Sequence, residues 1–327
     1  MARDQITRLL AAAESGRPLS AAEALAVAEL SLDEFLRLLP VTDARRAKRF
    51  GNRVRLCSIV NAKSGRCAED CRFCAQSARW ETGVDEYPLR SPEAMVAEAK
   101  KAKPWGSREF SIVTSGKGLQ TETEIAAVAG AIRGIREQAG LFTCASLGIV
   151  AEETLARLKQ AGLNKYHHNL ECAQSHWGQV CTTHAWEEDV AVVKRAKGLG
   201  LEVCCGGIFG LGESWAQRAE LAETLRELQV DSVPLNFLNP IPGTPLEKVR
   251  RLTPLECLQI IALFRLMLPE THLQVCGGRQ VNLRDLQSWI FAAGADGMMI
   301  GDYLTTKGRP VEEDLQMIAD LGLEPEA

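Results

Sequence analysis

Three cysteines fall within eight positions of the stretch SGRCAEDCRFCAQSARW, at Cys67, Cys71 and Cys74. Structural zinc usually pairs two Cys-x2-Cys arms, and disulfides pair thiols, so an odd set at Cys-x3-Cys-x2-Cys asks for another partner. Soft thiolates this close together can surround an iron–sulfur cube, each holding one iron. A cube has four irons, so three ligands leave one open to a small molecule. The spacing also admits a zinc ion completed by a distant His or Cys, or thiols that merely pack as small hydrophobes.

The 327 residues are 46% hydrophobic and 24% charged, enough for one large α/β domain with a full core. Basic and acidic residues, 38 and 42, are mixed along the chain to a net charge of −4, which predicts neither a nucleic-acid partner nor an anionic membrane. No apolar run reaches the roughly 18 residues of a spanning helix, and the charged N-terminus is a poor signal peptide, so a cytoplasmic protein is expected. Eleven cysteines in such a compartment raise the prior for metal or redox chemistry.

To position the loop, the chain offers a regular alternation. Residues 1–50 read as a short N-terminal helical extension, with Ser20 and Ser31 as helix caps. From 51 to 327, eight β-rich runs (VRLCSIV, EFSIVTS, LFTCASLG, KYHHNLE, LEVCCGGIFG, SVPLNFLNP, HLQVCGG and GMMIGD) alternate with helical stretches ending at glycines such as Gly140, Gly162 and Gly200. The expected fold is an α/β protein, a (β/α)8 TIM-type barrel, with a doubly wound open sheet as its rival. In a barrel the site forms at the C-terminal ends of the strands, and the three-cysteine loop follows the first of them.

Cys-x3-Cys-x-aromatic-Cys, with Phe73 as the aromatic, resembles the signature of radical S-adenosylmethionine (SAM) enzymes. The wider strings NAKSGRCAEDCRFCAQSARW, HHNLE, VCCGGIFGLGE, VPLNFLNPIPGTPLE, GGRQVNLR and GDYLTT are similar to the biotin synthase family, over about residues 50 to 322. The resemblance implies a [4Fe-4S] cluster on Cys67, Cys71 and Cys74 that binds SAM at its open iron and cleaves it with an electron from reduced flavodoxin or ferredoxin. It further implies sulfur insertion into dethiobiotin from an auxiliary iron–sulfur cluster, in a homodimer.

Carried over residue by residue, the resemblance places Gly206, Ile208, Gly210 and Glu213 around the adenine, Glu171 on the ribose, Ser115 and Gly116 near the methionine amine, and Asn169 and Asn236 on the ureido ring of dethiobiotin. An Asn amide complements a cyclic urea, which has both N–H donors and a C=O acceptor.

The family's auxiliary cluster is a [2Fe-2S] unit on three cysteines and an arginine. Cys144, Cys204 and Arg279 match three of those positions, and Ser111 stands where the remaining cysteine is expected. A serine oxygen is a hard, poorly acidic substitute, so Cys276 is the expected replacement, with Cys205 or Cys172 as a fourth ligand of a four-iron variant; packing as small hydrophobes is the alternative. Asp189 stands where an arginine for the methionine carboxylate is usual, with His184 and Arg195 nearby, and His167 where an asparagine is usual. Another radical enzyme on the same barrel, of hydrogenase-maturation or methylornithine-forming type, is the competing function. A non-enzymatic iron–sulfur carrier or zinc-stabilised binding protein is the competing class.

Overall fold

The computed structural model describes residues 2–326. Ser20 and Ser31 cap the helices they precede, each accepting from the backbone N–H three residues on while Glu23 and Glu34 bond back to the cap backbone. These reciprocal boxes satisfy donors that a helix start otherwise leaves open. The N-terminal helices are α1 (Ala2–Glu14), α2 (Ala21–Ala24) and α3 (Leu32–Phe50).

Ten strands follow: β1 (Arg53–Lys63), β2 (Glu109–Thr114), β3 (Phe142–Ser146), β4 (Lys165–His167), β5 (Glu202–Cys204), β6 (Gly207–Phe209), β7 (Ser232–Phe237), β8 (His272–Val275), β9 (Gly297–Met299) and β10 (Glu324–Pro325). The outer helices are α4 (Pro92–Ala102), α5 (Glu122–Ala139), α6 (Glu152–Gln160), α7 (Trp186–Gly198), α8 (Trp215–Glu227), α9 (Pro254–Met267), α10 (Arg279–Leu283), α11 (Trp289–Ala292) and α12 (Val311–Asp320). The strands pair in parallel, and β1 pairs with both β2 and β9, with Arg55 opposite Gly297 and Cys57 opposite Met299. That pairing closes the sheet, so the expected barrel forms and the open sheet does not.

The eight expected runs are its eight staves, with the fifth broken into β5 and β6 at Cys205 and Gly206. The carbonyl of Gly206 accepts from the N–H of Leu170 (3.0 Å) and Glu171 (3.3 Å), while its own N–H donates to Asn169 Oδ1 (3.1 Å). A side chain at 206 would sit 2.2 Å from the Pro234 carbonyl, which only glycine avoids.

Every residue of α9 from Cys257 to Met267 is buried. A helix apolar on all sides needs cover on all sides, and the N-terminal helices supply it. Arg45 of α3 donates to the carbonyls of Ala13 and Leu266, Gln259 Nε2 to Leu30 O (3.0 Å), and Leu19 N to Leu266 O (2.9 Å). No helix is long and apolar enough to cross a membrane among the described residues.

Candidate active site

At the C-terminal mouth of the barrel a cavity of about 450 Å³ opens, lined by residues from every stave and from the loop after β1. Gly65 (φ 75°) and Arg66 (φ 54°) turn the chain sharply out of β1. The loop is then held by its own backbone: Cys67 N donates to Gln76 O (3.0 Å), Ala78 N to Cys67 O (2.7 Å) and Cys74 N to Cys71 O (3.0 Å). Trp80 Nε1 bonds Cys71 O at 3.1 Å, and the Ser115 hydroxyl bonds Gly65 O at 2.8 Å.

Cys67, Cys71, Cys74 and Phe73 all line the cavity. Thiols on one tetrahedral zinc lie only about 3.8 Å apart, given Zn–S bonds near 2.3 Å. Among the described residues, only Glu69, Cys181 and His184 bring three such ligand atoms within 4.8 Å of one another. The three loop thiols are therefore not gathered as the ligands of one small ion. The Glu69 group is already internally bonded: His184 Nδ1 to Glu69, and Cys181 Sγ to Asp70 Oδ1 at 3.2 Å.

A second set of thiols lies deeper. Cys57 of β1, Cys144 of β3, Cys204 of β5 and Cys276 just after β8 line the same cavity. His167 Nδ1 lies 3.3 Å from Cys204 Sγ, and Cys276 Sγ donates to Gln274 O at 3.7 Å. Burial raises Cys144 to about 12 and lifts Cys204 well above the usual thiol range, so metal ligation there must release protons. His167 is pushed down to about 4 by burial and by the charges of His168 and Lys165, and is neutral at pH 7. Gln274 Nε2, which also faces this space, is buried without an acceptor.

The predicted ligands separate on this evidence. Cys144, Cys204 and Cys276 meet, but Arg279 does not join them. Gly278, at φ 72°, turns the chain where a side chain would lie 1.7 Å from the Phe237 carbonyl, and Arg279 leaves the barrel. Its guanidinium is 1% exposed and held by Asp314 Oδ1 (3.1 Å) and Oδ2 (2.7 Å), tying α12 to the end of β8. Cys172 and Cys205 pack in the hydrophobic core and do not line the cavity. Cys57, absent from the predicted set, lines the cavity beside them as a fourth thiol. Its inward parity in VRLCSIV was the available signal, since in β1 it shares a face with Ile59, another lining residue.

Asn169 and Asn236 both face the cavity. Asn169 donates to Glu171 Oε2 (3.2 Å) and accepts from Gly206 N (3.1 Å). Asn236 donates to Gly207 O (3.2 Å) and accepts from Gly277 N (2.8 Å). Each amide is thus fixed in orientation while one N–H and one lone pair remain for a ligand. Ser115, Gly116 and Ile208 also line the cavity, whereas Gly206 lies behind Asn169. Glu213 shapes the neighbouring turn: it accepts from Gly210 N at 3.0 and 3.1 Å and pairs with Arg218 at 2.7 Å.

Asp189 does not face the cavity. Its carboxylate is taken up by His168 Nε2 (2.8 Å) and His184 Nε2 (3.3 Å), so it presents no free charge to a methionine carboxylate. His184, although burial opposes it, is held cationic by Asp189 and its other partners, with its pKa raised to about 11. Arg195 bonds the Ala191 carbonyl on its own helix.

The region 62–225 matches the Radical SAM superfamily, and 234–324 matches the Biotin and Thiamin Synthesis associated domain. Biotin synthases from Pelobacter propionicus and Geobacter metallireducens are 54% and 53% identical over 309 residues, covering 94% of this chain and 94% of each relative. The chain belongs to the biotin synthase family. Methylornithine synthase shares the fold at a TM-score of 0.85 with 20% identity, covering 98% of this chain and 97% of its own. The [FeFe]-hydrogenase maturase HydG shares it at 0.83 and 13%, covering 99% and 75%. At such identities these two show the barrel alone.

Glu171 adopts φ 59°, a conformation that costs a non-glycine residue of order 1–3 kcal/mol. Burial, reinforced by Asp189 and opposed by the Asn169 bond, raises its carboxyl to about 8 from an ordinary 4.5. Between those values the unfolded chain is ionised while the folded chain keeps its proton. The stability it contributes is fully present below about 4.5 and lost as pH rises to about 8. Glu171→Gln in the metal-free protein is expected to unfold at a higher temperature than the parent at pH 8.5, with the difference shrinking by pH 5. Thermal melts at both pH values measure this, and a gain independent of pH contradicts it.

Proposed function

We infer that this chain uses SAM to insert sulfur into dethiobiotin, forming biotin. The observation that carries the reading is two separate sets of thiols opening into one cavity, three on the loop at its mouth and four on its floor. Cys67, Cys71 and Cys74 would hold a [4Fe-4S] cluster, which would supply the electron for reductive cleavage of SAM, and the floor thiols would hold an auxiliary iron–sulfur cluster, which would supply the sulfur. The chain's own residues bind, orient and exclude water. The free N–H and lone pair of Asn169 and Asn236 suit the ureido ring, and the Glu171 carboxyl suits the ribose hydroxyls. Ile59, Val113, Ile208, Phe237, Leu238 and Ile241 keep the reacting carbons dry.

For the auxiliary cluster we propose Cys57, Cys144, Cys204 and Cys276 as ligands, with Ser111, in register beside Cys144, lining the same cavity without binding iron. The unpaired Gln274 Nε2 supports this reading, because a cluster sulfide is the acceptor it lacks. Cys57→Ala and Cys276→Ala are each expected to lower biotin formation by about 10- to 100-fold while 5'-deoxyadenosine still forms. A two-iron auxiliary site unaffected by Cys276→Ala, measured by Mössbauer spectroscopy with iron and sulfide analysis, overturns this ligand set.

The whole reaction is tested by anaerobic reconstitution with SAM and a reductant, with and without dethiobiotin. Biotin and dethiobiotin-dependent 5'-deoxyadenosine are expected; SAM cleavage indifferent to dethiobiotin favours the competing radical enzyme. The reading carries with it a cytoplasmic homodimer that takes electrons from reduced flavodoxin or ferredoxin. Light scattering at twice the mass of one chain, and turnover driven by either donor, test those two parts.

A further inference from the structure

Beside the floor thiols lies a cation that the roles above leave unused. Lys165 stands on β4 in register with Cys144 of β3 on one side and Glu202 of β5 on the other. Its side chain is 0% exposed, with Nζ 2.6 Å from Glu109 Oε1 and 5.4 Å from the centre of the Phe142 ring. Glu202 Oε2, at 3.5 Å, belongs to a side chain 45% exposed. The other cation on Glu109 is Arg55, whose Nη1 is 3.4 Å away but whose Nε is engaged by Glu326 at 2.8 Å. Arg55 thus faces the outer end of the barrel, and Lys165 is left as the cation flanked by cluster thiols. No Lys or Arg lines the cavity among the described residues.

A buried ion pair is weak evidence of a stabilising device, since hydrophobic residues of similar volume often serve the fold as well or better. A set of thiolates around iron, in contrast, is strongly negative and becomes more so on reduction. We propose that Lys165 is the counter-charge of the auxiliary cluster, a positioning residue whose buried ammonium offsets the negative charge of the cluster and raises its midpoint potential. The role rests on the four-thiol site proposed above. Attraction between the ammonium and the added electron is large in a medium of low dielectric and is unscreened by salt.

The test is a redox titration of the reconstituted full chain, followed by electron paramagnetic resonance, with the loop cluster as internal control. Lys165→Met is expected to make the auxiliary cluster harder to reduce by at least tenfold in its one-electron equilibrium constant, about 59 mV. Lys165→Arg, which keeps the charge, is expected to stay within threefold of the parent, and the loop cluster to be unmoved in both. A Lys165→Met protein that keeps only the loop cluster, with Lys165→Arg keeping both, supports the same role through assembly. If Lys165→Met does not fold, Lys165→Met/Glu109→Gln leaves no charge there unpaired and is expected to shift in the same direction by about half as much. An auxiliary cluster at the parent's potential in either folded neutral variant overturns the role of Lys165. An unsubstituted protein with no second cluster by Mössbauer spectroscopy instead overturns the site itself, and this role with it.

Discussion

Cys71→Ala is expected to reduce 5'-deoxyadenosine formation to background, a loss of at least ~10³-fold, because one thiol of three is lost from the loop that holds the reacting cluster. The loop does not reshape to replace it. Its backbone bonds converge around this residue, with Cys74 N and Trp80 Nε1 both on the Cys71 carbonyl. The neighbouring Cys181 thiol is engaged by Asp70, Thr183 and His184 and packs in the buried core. The iron content should fall by one cluster while the auxiliary spectrum survives. Iron analysis and product chromatography under anaerobic conditions measure both, and 5'-deoxyadenosine at the parent's rate sinks the assignment of the loop.

The largest effect on stability is expected far from the thiols. Arg265, in α9, is 0% exposed, and its guanidinium donates to the carbonyls of Gly294 (2.7 Å), Leu268 (3.1 Å), Pro269 (3.0 Å) and Thr271 (2.9 Å). It also pairs with Asp296 at 2.6 Å, and Asp296 in turn bonds His272 and the N–H of Leu273. One side chain therefore joins the end of α9 to the starts of β8 and β9. Arg265→Met leaves the Asp296 charge buried with one partner fewer and several carbonyls unpaired, at a cost of about 3–5 kcal/mol. Urea unfolding of the metal-free protein measures the loss. Adding Asp296→Asn is expected to restore part of it, since the uncompensated charge goes; equal losses in the single and double variants contradict this account.

How far the residues alone led differs from site to site. The loop at Cys67, Cys71 and Cys74 was legible because its ligands are local: spacing of three and two residues places them whatever the rest of the chain does. The eight staves were legible because alternation of β-rich runs with glycine-terminated helices is a short-range pattern. Cys144, Cys204, Asn169 and Asn236 were found through resemblance, and the barrel gathers all four at one cavity.

Where Arg279 and Cys57 point was not legible in the sequence, for a single physical reason. Whether a side chain points into a barrel depends on strand register and on where the strand ends. Gly278, in the left-handed region, ends the alternation of β8 before Arg279 is reached and sends it to Asp314. Cys57 and Cys276 lie far apart in sequence, and only closure of β1 onto β9 brings them to one cavity. Asp189 stands where an arginine for the methionine carboxylate is usual, but the histidines that absorb its charge lie just after β4 and just before α7, and no spacing rule links them.

The sequence by itself determined the reacting loop, the order of staves and helices, and the family's chemistry, since each is written in residues close to one another along the chain. Tertiary structure alone decided which thiols share the floor of the barrel, which arginine is a strut, and which lysine is buried beside Cys144. Those relations are set by strand parity and barrel closure, which bring together residues from 21 to more than two hundred positions apart through packing.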